Sequence, residues 1–157
     1  MERKHSVSDM TGTRIPACGT IKELSEHQEQ VIVFKWASLA ERSIPELASL
    51  YAIPNGLRAA GIGAAKKARA EGLKSGVPDI CLPVPKQPWH GLYIELKRLS
   101  VRPKTDRSKG GVSDNQTDWH VRLRGHGYAV AVCYGADDAI LTINRYLDGC
   151  FTAKGGV

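Results

Sequence analysis

Residues 76–98 read GVPDICLPVPKQPWHGLYIELKR. Two short apolar runs, Ile80 to Val84 and Leu92 to Leu96, flank a turn-forming segment with two prolines and a glycine, PKQPWHG. That is the pattern of a β-hairpin. Its first strand is expected over about 79–84 and its second over about 92–98. The charges are out of keeping, because strands disfavour Asp, Glu and Lys unless those side chains face water. Glu95 and Lys97 are two apart, so they share one face while Leu96 takes the other. If the strands pair antiparallel, Asp79 opens the first where the second closes, and it lies beside Glu95 and Lys97. Two carboxylates and an ammonium at one sheet corner form a set that can bind a hard divalent cation. Such a cation polarises a phosphodiester and generates a nucleophile from water, and a neighbouring lysine offsets charge on the phosphate. Taken alone, the spacing is loose and reads better as an ordinary ion pair at an exposed hairpin end, worth at most about 1 kcal/mol.

Outward from the hairpin, the chain alternates elements. Ser25 to Arg42, SEHQEQVIVFKWASLAER, is expected to be a helix capped by Ser25, with Ile32, Trp36, Leu39 and Ala40 at helical spacing. Its first turn is polar, and Glu26 and Gln30 share a face. Leu50 to Ile53 predicts a strand stopped by Pro54-Asn55-Gly56. A small helix is expected over about 60–73. After the hairpin, residues 99–112 show no apolar period and end in Gly110-Gly111, which predicts a mobile loop. SDNQTDWHVRLRGHG, from Ser113, predicts a capped helix with Trp119, Val121 and Leu123 as apolar surface. YAVAVCYG reads as a buried strand. ADDAILTINRYLDG reads as an amphipathic helix carrying Ile140, Leu141, Ile143, Tyr146 and Leu147. The order is α-β-α-β-β-α-β-α, which predicts one α/β domain with a mixed central sheet flanked by helices. Residues 1–20 read as a flexible lead, 21–150 as the domain and 151–157 as a tail.

Composition narrows the function classes. The chain has 157 residues, 42% of them hydrophobic, enough for one domain with a core. A formal net charge of +6 suits a polyanionic partner. Arg58, Lys66, Lys67, Arg69 and Lys74 face a single acid, Glu71. Arg98, Arg102, Lys104, Arg107 and Lys109 follow the hairpin with only Asp106 among them. Both stretches are candidate DNA-phosphate contacts, which would make binding fall steeply with salt. Neither carries a base-reading motif, so shape rather than sequence is the expected determinant. Cys18, Cys81, Cys133 and Cys150 lack the paired spacing of a zinc site, and Cys81 and Cys133 read as small core residues in a reduced compartment. His5, His27, His90, His120 and His126 are scattered without ligand spacing. Trp36 and Trp119 read as core or interface residues, and Trp89 as an exposed turn residue. GIGAA at Gly61 lacks the third glycine of a dinucleotide loop. No apolar h-region opens the chain, and no apolar run approaches the roughly 18 residues of a membrane span, so neither secretion nor a membrane is expected.

The motifs SEHQEQ, IPNG, GVPD, YIELK and SDNQTDWHVRLRGHGYAVAV, in this order, resemble the PD-(D/E)XK nuclease superfamily. More closely, they resemble the VRR-NUC domain, over about 25–147. The resemblance implies a restriction-endonuclease-like fold and an endodeoxyribonuclease using Mg²⁺ or Mn²⁺. It implies Glu26, Asp79, Glu95 and the Leu96 carbonyl as metal ligands, Lys97 as catalytic lysine and Gln116 as a glutamine near the site. Glu29 competes with Glu26 for the helix acid; Glu26-x-x-x-Gln30 fits the family spacing better. A lone domain of this size resembles the phage and bacterial members. That likeness implies a cytoplasmic homodimer cutting branched DNA such as Holliday junctions. The rival readings are a non-catalytic basic DNA-binding module, or a nuclease of the same site with flap, duplex or RNA substrate.

Overall fold

In the computed structural model, which describes residues 22–54, 61–105 and 108–152, the hairpin is the centre of the molecule. β2 (Ile80–Leu82) pairs antiparallel with β3 (Leu92–Lys97) in the register Ile80↔Ile94, Cys81↔Tyr93 and Leu82↔Leu92. On one edge the two-residue β1 (Tyr51–Ala52) continues the antiparallel pairing through Tyr51↔Cys81. On the other, β4 (Ala129–Tyr134) lies parallel to β3 over its whole length, from Leu92↔Ala129 to Lys97↔Tyr134. The sheet is therefore mixed, in the order β1-β2-β3-β4. A parallel neighbour needs a crossover, and α3 (Asp114–Gly125) supplies it between β3 and β4.

α1 (Glu26–Ala40) and α4 (Ala136–Leu147) pack against each other and contact β3. Val33, Ala37, Ile80, Leu82, Ile94, Leu96, Ala139, Ile143 and Tyr146 form the buried core. Each large aliphatic side chain there contributes about 1.5–3 kcal/mol by leaving water. α2 (Gly61–Ala70) lies between β1 and β2 in sequence.

Several local expectations are corrected. The buried face of α1 is Val33 and Ala37, with Phe34, Trp36 and Ala40 half-buried; Ile32 is exposed and Leu39 is 83% exposed. VIVFKWASLA is apolar nearly all round, so its period does not settle the inner face, and small Ala37 takes the inner position. In α3 the buried residues are His120 and Leu123, while Val121 is exposed. Leu141 of α4 faces out. A 3-10 turn over Pro45–Ser49, not expected from sequence, precedes β1. Trp89 is half-buried and meets Phe151 edge-on, and Phe151, the first residue of the expected tail, also packs on Tyr146 against the core. The described parts of the segment after β3, expected to be a mobile loop, carry long-range hydrogen bonds. The Glu23 carboxylate accepts from the backbone and hydroxyl of Ser100 (2.6 and 2.8 Å), Arg102 bonds Asp138 (2.7 Å), and the Tyr134 hydroxyl donates to the Gly110 carbonyl. The lead over 1–20, together with Asn55, Gly56, Arg58, Arg107 and residues 153–157, lies outside the described residues. Among those described, no helix is long and apolar enough to cross a membrane.

Gly76 marks where the chain passes beneath α3. Its φ is +86°, and a Cβ there would stand 2.8 Å from the Asn115 backbone. Next to it, the Trp119 indole donates to the Ser75 carbonyl at 3.0 Å. The GVPD segment thus enters β2 pressed against the first turns of α3.

Candidate active site

The register Ile80↔Ile94 carries Asp79 opposite Glu95. The Asp79 carboxylate accepts a hydrogen bond from the Leu96 backbone N–H at 2.9 Å, which fixes it at the strand junction. Ile53 N–H donates to the Asp79 carbonyl at 2.8 Å, so β1 braces the same residue from the other side. Strand alternation sends Glu95 and Lys97 to the α3 face, where both are buried, at 0% and 6% exposure. Lys97 Nζ donates to Glu95 Oε1 at 2.7 Å. Taking two charges from water costs several kcal/mol per ion, so such a pair persists only with further hydrogen bonds.

α3 provides one. Ser113 and Gln116 form a capping box. The Ser113 hydroxyl accepts from the Gln116 N–H at 3.3 Å, and the Gln116 Oε1 accepts from the Ser113 N–H at 2.9 Å. With its oxygen held by the helix end, the Gln116 amide directs Nε2 onto Glu95 Oε1. One glutamine therefore both starts the helix and serves the acid. Among the described residues, the other carboxylate oxygen, Glu95 Oε2, has no hydrogen-bond partner, nor does His120 Nε2, 3.7 Å away.

These groups open on a cleft of about 820 Å³. Glu26, Gln30, Asp79, Leu96, Lys97 and Gln116 line it, together with Glu95. The two helix acids part company here. Glu26 lines the cleft, whereas the Glu29 carboxylate accepts from the Ala136 N–H at 2.8 Å. That bond places Glu29 at the positive N-terminus of α4, a structural position. His27 also lines the cleft from α1.

The oxygen donors fit a hard cation. Mg²⁺ needs only one or two carboxylates because it keeps waters and takes phosphate oxygens. Asp79 and Glu95 are carboxylates of that kind, side by side on the cleft. Among the described residues, no three acids, histidines or cysteines close into a group that could hold a metal. Glu26, Asp79 and Glu95 share the cleft without forming a three-ligand cluster.

None of the described basic candidates lines the cleft itself. Lys66, Lys67, Arg69, Lys74, Arg98, Arg102, Lys104 and Lys109 are all exposed. Three have acid partners: Lys67 with Glu71 (3.8 Å), Arg102 with Asp138 and Lys109 with Asp114 (2.6 Å). The Lys109 hydrogen bond holds the Asp114 carboxyl below the usual carboxylate range.

His120 is the residue that sequence reading missed. Gln116 and His120 are four apart on α3 and so share a face, and that spacing was the available signal.

A mixed sheet bringing Asp79, Glu95 and Lys97 to one corner under a crossover helix fits a nuclease-class α/β domain. The model of the VRR-NUC domain family matches residues 20–137, and the chain belongs to that family. A solved structure described as a VRR_NUC domain protein is similar in fold. It is 24% identical, covers 82% of this chain and 92% of its own, and superposes with a TM-score of 0.63. No curated protein matches.

Proposed function

We propose that this VRR-NUC domain is a Mg²⁺- or Mn²⁺-dependent DNA endonuclease that hydrolyses phosphodiester bonds in branched DNA, as a homodimer. The single observation that supports it most is the corner itself: Asp79 and Glu95 on neighbouring strands, with Lys97 beside them in one cleft. Asp79, Glu95, Glu26 and the Leu96 carbonyl are the groups that would hold the cation. When bound, the cation supplies Lewis-acid polarisation of the phosphate and a water more easily deprotonated. The chain's own residues do the rest. The Leu96 N–H holds the Asp79 carboxylate in place. Gln116, locked by the α3 cap, fixes the Glu95 carboxylate. Lys97 orients the attacking water and balances charge gathering on the phosphate. The exposed basic residues on and after α2 and after β3 take phosphates on either side of the scissile bond.

Cleavage of synthetic four-way junctions, flaps and plain duplex with Mg²⁺ or Mn²⁺ tests this. Junction cutting that disappears with EDTA and with Asp79→Ala is expected. Equal cutting of all three substrates would defeat the branched-DNA preference. Salt-sensitive binding without any cleavage would make the chain a binding module.

A further inference from the structure

Two buried atoms near the corner lack hydrogen-bond partners among the described residues, and they face each other: Glu95 Oε2 and His120 Nε2, 3.7 Å apart, on residues 0% and 4% exposed. Buried polar groups without partners are rare, and a charged one costs more than a neutral one. The other oxygen of the same carboxylate, Oε1, carries two donors, Lys97 Nζ and Gln116 Nε2. The acid is thus crowded on one oxygen and bare on the other. The Lys97 ammonium has three donors, so it can hold Oε1 and still serve a reacting water or phosphate; the bare oxygen is Oε2.

We infer that His120 is a positioning residue for Glu95, whose Nε2–H takes Oε2 while Lys97 and Gln116 hold Oε1. This role rests on the cation-dependent reading of the site. A closure of well under an ångström brings the 3.7 Å gap into hydrogen-bond range. Both residues sit on fixed elements. Glu95 is mid-strand in β3, and His120 lies one turn beyond Gln116 on α3, so two residues of one helix face hold the two oxygens of one acid. Partners of this kind orient a ligating carboxylate, and removing one commonly lowers metal affinity about 10–100-fold.

The test uses full-length protein, with His120→Phe removing the donor while filling the space and His120→Gln keeping a donor. Mn²⁺ uptake is read by electron paramagnetic resonance of the free ion, without DNA. His120→Phe is expected to weaken uptake about 10–100-fold, and His120→Gln to recover most of it. In parallel, long-range ¹H–¹⁵N NMR of the metal-free protein should show the His120 proton on Nε2. Uptake by His120→Phe equal to wild type would overturn the role. So would a proton held only on Nδ1, a result that stands even if the phenylalanine variant fails to fold. Wild-type protein that takes up no Mn²⁺ would overturn the cation reading and this role together. Uptake lost in Asp79→Ala but unchanged in His120→Phe would defeat the role alone.

Discussion

Leu92, Ile94 and Leu96 leave one face of β3; Tyr93, Glu95 and Lys97 leave the other. Both faces are covered, the first against the α1 and α4 side and the second by α3. On the apolar face, burial is itself the stabilising event. On the charged face, burial is a cost that Lys97 and Gln116 offset on one oxygen and leave standing on the other. One six-residue strand therefore joins a part of the molecule selected by packing to a part whose arrangement packing alone would not favour.

The sharpest way to break that contrast is Lys97→Met. It strands the Glu95 charge and should cost about 3–5 kcal/mol of stability, read by urea unfolding, and lower cleavage about 10²–10³-fold. Adding Glu95→Gln should restore the stability and leave cleavage lost, because the pair is removed together. Opposite it, Ile94→Ala should cost about 2–5 kcal/mol by opening a cavity, with cleavage per folded molecule largely kept. Ser113→Ala lies between the two faces. Losing the hydroxyl cap should cost about 1 kcal/mol, with cleavage per folded molecule largely kept, because the Ser113 N–H that holds Gln116 Oε1 is backbone and survives the substitution. The smallest effect is expected from Lys109→Ala. Its ion pair with Asp114 is exposed, so the melting temperature should not move, while the salt dependence of DNA binding should become shallower by about one ion.

The hairpin and its corner were legible because alternation leaves little freedom. A one-residue slip would send Glu95 and Lys97 into the apolar core and turn Ile94 and Leu96 out of it. The short connection between the strands then tied Asp79 to Glu95. The inner face of α1 was not legible, since Ile32, Val33, Phe34, Trp36 and Leu39 offer apolar candidates in most directions. His120 escaped notice for a different reason. Its spacing from Gln116 was a signal, but one that gains meaning only once Glu95, far away in sequence, is known to lie against both. The described parts of the segment after β3 are held by long-range pairs such as Glu23 with Ser100, which no local pattern announces.

Gln116 ties the opening turn of α3 to the acid beneath it. Helix ends fray, and each fraying of this end takes a donor from Glu95. The rate at which one turn of backbone comes undone thus sets how often the corner loses its shape. Amide exchange at Gln116 and Thr117 would then track the site's readiness without any substrate present.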